Sequence, residues 1–154
     1  MGTTYAPHAT IDLLNELLAY CHDGKRGYEQ VMDDVDDQNL QKLFAELAGQ
    51  RSEFIRELSE RILRFGGEPD NVGTITGTAH RGWTELRVAL ADLTGSPVHA
   101  VLAECERGED RIKDAYRESL TKPTDSETKQ MLARHYQQIA RSHDKVRALR
   151  DASA

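Results

Sequence analysis

Glu109, Glu104, Glu46, His135 and His143 are the residues of this chain whose types and placement could do chemistry. Carboxylates and imidazoles together are the side chains that hold metal ions such as iron or manganese. Glu109 stands out because the helical spacing of Leu102, Cys105, Ile112 and Tyr116 turns it inward, halfway along an apolar stripe. An inward carboxylate there can take a metal or a polar small molecule. It can equally pair with Arg51 or hydrogen-bond Gln50 or Gln138. A buried charge is costly unless partnered, so one of these must hold. Pairing is the favoured reading, because the rest of that layer is glycine and amide. His143 falls on the inner edge of the last helix near the height of Glu104, where a Glu–His pair would add to a metal site. The competing and simpler reading of His143, and of His135, is a structural histidine donating one hydrogen bond.

Four long amphipathic helices must position these residues, and each has a polar gap in its apolar stripe. The first carries Leu14, Leu17, Cys21, Tyr28, Met32 and Val35, with a break at Gly24/Lys25. The second carries Leu40, Phe44, Leu47, Phe54, Leu58 and Ile62, with a break at Gln50/Arg51. The third breaks at Gly108/Glu109, and the fourth places His135, Gln138 and His143 on or beside its stripe. A polar layer halfway along a bundle is where a ligand or metal site can be built, or where a buried hydrogen bond fixes register. Gly24, Gly27 and Gly108 each cost a helix about 1 kcal/mol against alanine, so something should offset them. A bulky neighbour such as Trp83, Tyr28 or Tyr116 is the first expectation, and a ligand slot lined by Gly24 and Gly108 is the sharper one.

The chain boundaries follow from local signals. Residues 1–9 read as a loose tail, with Thr10 as N-cap of the first helix and a single domain over 10–151. Asp37 is placed to cap the second helix, and Gly66-Gly67 with Pro69 to stop it. A Gly/Thr-rich stretch leads to a shorter crossover helix through Ala79, Trp83, Leu86, Leu90 and Leu93, with His80 in its first turn. Ser96-Pro97 opens the third long helix. Thr124 with Glu127 suggests a capping box for the fourth. Short turns make the first and second long helices antiparallel neighbours, and likewise the third and fourth. The long crossover between the second and third gives the connectivity of ferritin-like bundles, so the fold class expected is all-α.

Composition narrows the function. The 154 residues carry a formal net charge of −6 with both signs interspersed, which argues against a nucleic-acid partner. No apolar run reaches the roughly 20 residues that span a bilayer, and no signal peptide is expected, so the expected location is the cytoplasm. Cys21 and Cys105 fall on buried stripes and are expected to be reduced core thiols, since both compartment and burial oppose a bridge. His22 and Asp23 are expected to face partly outward. Phosphate loops, nucleophile elbows and paired Cys/His catalytic motifs are absent from the sequence, which leans against an enzyme.

The segments TIDLLNELLAYCHDGKRGYEQ, LFAELAGQRSEFIREL, GGEP, HRGWTELRVAL, ERGEDRIKDAYRE and HDKVRALRD resemble a bacterial domain-of-unknown-function family of ferritin-like four-helix bundles, related in fold to rubrerythrin and ferritin. The resemblance runs from about Thr10 to Asp151. It implies a bacterial cytoplasmic bundle and no established activity. The wider ferritin-like class often holds two metals between one Glu on each of two helices and Glu-x-x-His on each of the other two. This sequence departs from that pattern: Glu46 is followed three residues on by Gly49, and His135 by Gln138. The leading expectation is therefore a non-enzymatic accessory or stress-related protein that acts through self-association, as a homodimer, or through a protein partner, with no cofactor. The alternatives are a degenerate iron or manganese protein using Glu109 and His143 with Glu104, Glu46 or His135, and a binder of a small molecule in the mid-bundle gap.

Overall fold

The computed structural model describes residues 7–70 and 97–153. These form four helices, α1 (Pro7–Asp34), α2 (Gln38–Arg64), α3 (Pro97–Ser119) and α4 (Ser126–Ala152), and no strand. The fold is an all-α, ferritin-like bundle. None of these helices is long and apolar enough to cross a membrane. The expected crossover helix, with His80 and Trp83, lies outside the described residues.

Helix boundaries follow capping chemistry, with two departures from expectation. Helix α1 starts at Pro7, and Thr10 is buried inside it instead of capping it. Proline suits a first helical position because its φ is already helical and its missing N–H would have no partner there. At the start of α2 the Asp37 carboxylate accepts from the backbone N–H groups of Asn39 and Leu40 at 2.9 and 3.0 Å, as expected. Helix α2 ends with Gly66 at φ 83°, which lets the Gly67 N–H reach back to the Ile62 carbonyl at 3.0 Å. At α4 the cap is Asp125, whose carboxylate accepts from the Thr128 N–H at 3.1 Å. Asp125 displaces the expected Thr124 because its carboxylate also meets Arg61 at 2.5 Å, joining the end of α2 to the start of α4.

Helix α1 packs chiefly on α2, and α3 on α4; α1 also touches α3, and α2 touches α4. That leaves α2 and α3 facing each other across a diagonal. Tyr28 meets Glu109 and Cys21 meets Tyr116, so α1 and α3 are antiparallel. Arg61 meets Asp125 while Lys145 meets Glu46, so α2 and α4 are antiparallel too. Helices α2 and α3 therefore run the same way, so the end of α2 and the start of α3 lie at opposite ends of the bundle, about 40 Å apart by the helical rise.

The core divides in two. One apolar cluster gathers Val31, Phe44, Leu47, Val101, Leu102 and Val146. The other gathers Leu14, Leu17, Phe54, Leu58, Tyr116 and Ile139. Between them, at the height of the four gaps, sit Gly24, Arg51 and Glu109.

Candidate functional site: a polar layer at mid-bundle

Arg51 occupies a position on α2 that the spacing of Leu47, Phe54 and Leu58 assigns to the core, and it is 1% exposed. Its length lets it cross the diagonal. Arg51 Nη2 donates to Glu109 Oε1 at 2.5 Å, and Glu109 is fully buried. Arg51 Nη1 donates to the side-chain carbonyl of Gln50. Tyr28, one turn beyond Gly24 on α1, donates its hydroxyl to the same Glu109 oxygen at 2.5 Å. The Tyr28 ring also lies 6.0 Å from the guanidinium carbon, within cation–π range. Burial alone would lower the Arg51 pKa, but the Glu109 carboxylate, together with Tyr28 and Cys21, more than offsets this and the pKa is raised, so the guanidinium stays charged. Burial raises the Tyr28 pKa well above normal, with nearby Cys105 and Glu109 adding to the effect, so its hydroxyl stays a donor.

Arg51 is one of the three partners that the sequence offered for Glu109, beside Gln50 and Gln138. Gly24 is explained differently from expectation: among the described residues its nearest neighbour is Arg51 and not Tyr28 or Tyr116, while Trp83 lies outside them. A Cβ built at Gly24 would lie 3.3 Å from Arg51 Nε. Gln50 carries the layer outward, donating to Ser142 Oγ at 2.8 Å in a groove between α2 and α4. Asp23 is buried, against the expectation that it faces partly outward, and His22 is half-buried.

The other candidate residues take separate positions. His135 lies in the second apolar cluster, fully buried, stacked on Phe54 with ring centroids 4.0 Å apart. Its Nδ1 is 2.9 Å from the Tyr116 hydroxyl, and its Nε2 is 3.5 Å from Glu57. Burial pushes its pKa down to about 4, against the pull of Glu57. His143 sits on the seam of α3 and α4, with Nε2 2.6 Å from Asp110 and 3.8 Å from Glu106, and Nδ1 3.3 Å from Asp144. Glu106 is itself held by Arg150. Glu104, the expected partner of His143, pairs instead with Arg107 on its own helix at 2.5 Å. Glu46 pairs with Lys145 at 2.8 Å on the solvent side of α2 and α4. The sequence reading missed Tyr28 as a donor to Glu109, Glu57 beside His135, and Asp110 beside His143.

These residues do not fit the two-metal site of the wider ferritin-like class. That site needs several carboxylates converging on one point. Among the described residues the centre of the layer offers one carboxylate, Glu109, already neutralised by the Arg51 guanidinium beside it. Among the described residues, no group of three or more His, Cys, Asp or Glu side chains could hold a metal ion. Cys21 and Cys105 are both free and buried. Burial raises Cys21 to about 11 and Cys105 to about 12, with Glu109 adding to the shift at Cys105.

A solved structure of a mutant of Dps1 from Mycobacterium smegmatis is similar over 94% of this chain and 96% of that one, with a TM-score of 0.72 and 18% identity. At that identity the likeness is one of fold. No curated protein matches the chain. The family described as a domain of unknown function, DUF2383, matches residues 9–122, which is most of the chain. The chain belongs to the DUF2383 family.

Proposed function

We propose that this protein is a non-enzymatic, ferritin-like accessory or stress-related protein of the cytoplasm that acts as a homodimer or through a protein partner. One observation carries this reading: Arg51 brings a fixed positive charge to Glu109 at mid-bundle. A bound cation would have to displace that guanidinium and leave it buried without its counter-charge, which is strongly unfavourable. The layer holds its own register and needs no metal to do so. Among the described residues, Leu63 and Leu149 are the exposed large apolar side chains available for contact with a second copy or a partner.

The rival reading is an iron or manganese site on Glu109 and His143 with Glu104, Glu46 or His135. Elemental analysis separates the two after incubation with iron, manganese or zinc and desalting. The expected result is less than stoichiometric metal in the wild type and no change in Glu109→Ala or His143→Ala. Stoichiometric metal lost in both variants would overturn the proposal. Light scattering on the eluted peak tests the dimer.

A further inference from the structure

The slot between Gly24 and Gly108, on the α1 and α3 face, encloses about 20 Å³, room for about one water-sized sphere. A groove on the opposite face, between α2 and α4, is larger at about 270 Å³, near the small end of ligand sites. The described chain turns away from this groove: past the end of α2, Glu68 and Asp70 bond to Asn15 on α1. Two ties cross the groove. Gln50 donates to Ser142 Oγ at 2.8 Å, and Lys145 donates to Glu46 at 2.8 Å. Beneath them the floor is apolar, formed by Leu43 and Leu47.

The charges around this floor do not cancel. The lining carries two cations, Arg141 and Lys145, against one carboxylate, Glu46, and that carboxylate is bonded to Lys145. Lys145 holds the Glu46 carboxyl below its ordinary range, and Lys42 adds to the effect. The guanidinium of Arg141 makes no hydrogen bond or ion pair among the described residues. The other carboxylates around it are committed elsewhere. Asp144, three residues on in α4, faces His143, and Glu53, three residues beyond Gln50 in α2, is held by Arg56. One cation is therefore left over, beside an apolar floor. A guanidinium takes a carboxylate through paired N–H bonds, and an alkyl chain laid on leucine side chains leaves water. We propose that the groove between α2 and α4 binds an aliphatic monocarboxylate of medium chain length, with its head on Arg141 and the Gln138 amide and its chain along Leu43 and Leu47. Glu46 opposes a second carboxylate, so the site selects against dicarboxylates.

Titration of the full chain with sodium octanoate tests this, read by NMR at the side-chain amides of Gln50 and Gln138. The expected result is a saturable shift of both. Sodium acetate, which has the head without the chain, should bind at least tenfold more weakly. Octyltrimethylammonium, which has the chain with the opposite charge, should do the same. Arg141→Gln should weaken octanoate by about threefold, the scale of an exposed charge contact. Glu46→Gln should tighten it, because the opposing carboxylate is gone and Lys145 is released. Arg147→Gln is the control, as Arg147 is exposed on the same helix and outside the groove, and it should bind as the wild type does. The absence of a saturable shift would overturn the proposal. So would equal binding of octyltrimethylammonium, or an affinity unchanged in Arg141→Gln. Octanoate binding that weakens as protein concentration rises would mean that a second copy fills the groove, and would overturn it as well.

Discussion

Arg51 and Glu109 meet at 2.5 Å across the diagonal of the bundle, both out of reach of solvent, and they separate two apolar clusters that would otherwise run together. The pair fixes the height of α2 against α3. A shift of either helix by one residue would pull a buried charge away from its partner. Several consequences of this layer and its surroundings can be measured.

His135 should make the protein acid-sensitive before its carboxylates do. Its folded pKa is about 4, below the ordinary histidine value of 6.5. Between those values the unfolded chain binds a proton that the folded chain does not. Stability is therefore complete above pH 6.5 and falls as pH drops toward 4, by about 3 kcal/mol in all. The lowered pKa of half-buried His22 acts in the same direction. Urea midpoints at pH 7 and pH 5 should differ less in His135→Gln than in the wild type, and the His135 ring resonances should not titrate until pH approaches 4.

The thiols should be inert in the folded protein. Both are buried with raised pKa values, so the thiolate that reacts is scarce at neutral pH. A colorimetric disulfide reagent should react with neither Cys21 nor Cys105 under native conditions and with both in denaturant. Rapid native reaction of either would show a packing defect around Tyr28 or Tyr116.

Glycine substitutions on α2 should have opposite signs. Gly49 lies in the helix with open space around its Cβ position, so Gly49→Ala should stabilise by up to about 1 kcal/mol. Gly66 ends the helix at φ 83°, so Gly66→Ala should destabilise by about 1 kcal/mol. Urea denaturation of the two variants checks both signs.

Asp125 should matter more than Glu127 at the start of α4. Asp125→Ala removes both the cap to Thr128 and the contact to Arg61, at a cost of about 1–2 kcal/mol. Glu127 reaches Arg61 from an exposed position, and its loss should cost no more than about 0.5 kcal/mol. Equal losses would restore the capping box read from the sequence.

Glu109 was legible as an inward carboxylate, with Arg51, Gln50 and Gln138 as the partners within reach, because one helical period and one long crossover suffice to place all of them near mid-height. The partners of His143 were not legible. The choice between Glu104 and Asp110 depends on the rotation of α3 against α4, and one residue turns a helix by about 100°. Tyr28 went unread as a donor because its ring satisfies the apolar stripe and its hydroxyl leaves no trace in the pattern. Gly24 pointed correctly to a close approach. The residue that approaches is a charged one, which a search for bulky aromatic neighbours passes over. The start of α1 was readable from Pro7, since proline belongs in a first turn as naturally as Thr10 belongs at a cap.

A double-mutant cycle on Arg51→Met and Glu109→Gln, followed by urea denaturation, tests most directly whether the polar layer is one closed unit. Each single change leaves a buried polar group without its partner and should cost about 3–5 kcal/mol, while the double variant should cost well below the sum. Losses that add to within about 0.5 kcal/mol would mean that the two residues act independently, and would contradict the account given for the centre of this bundle.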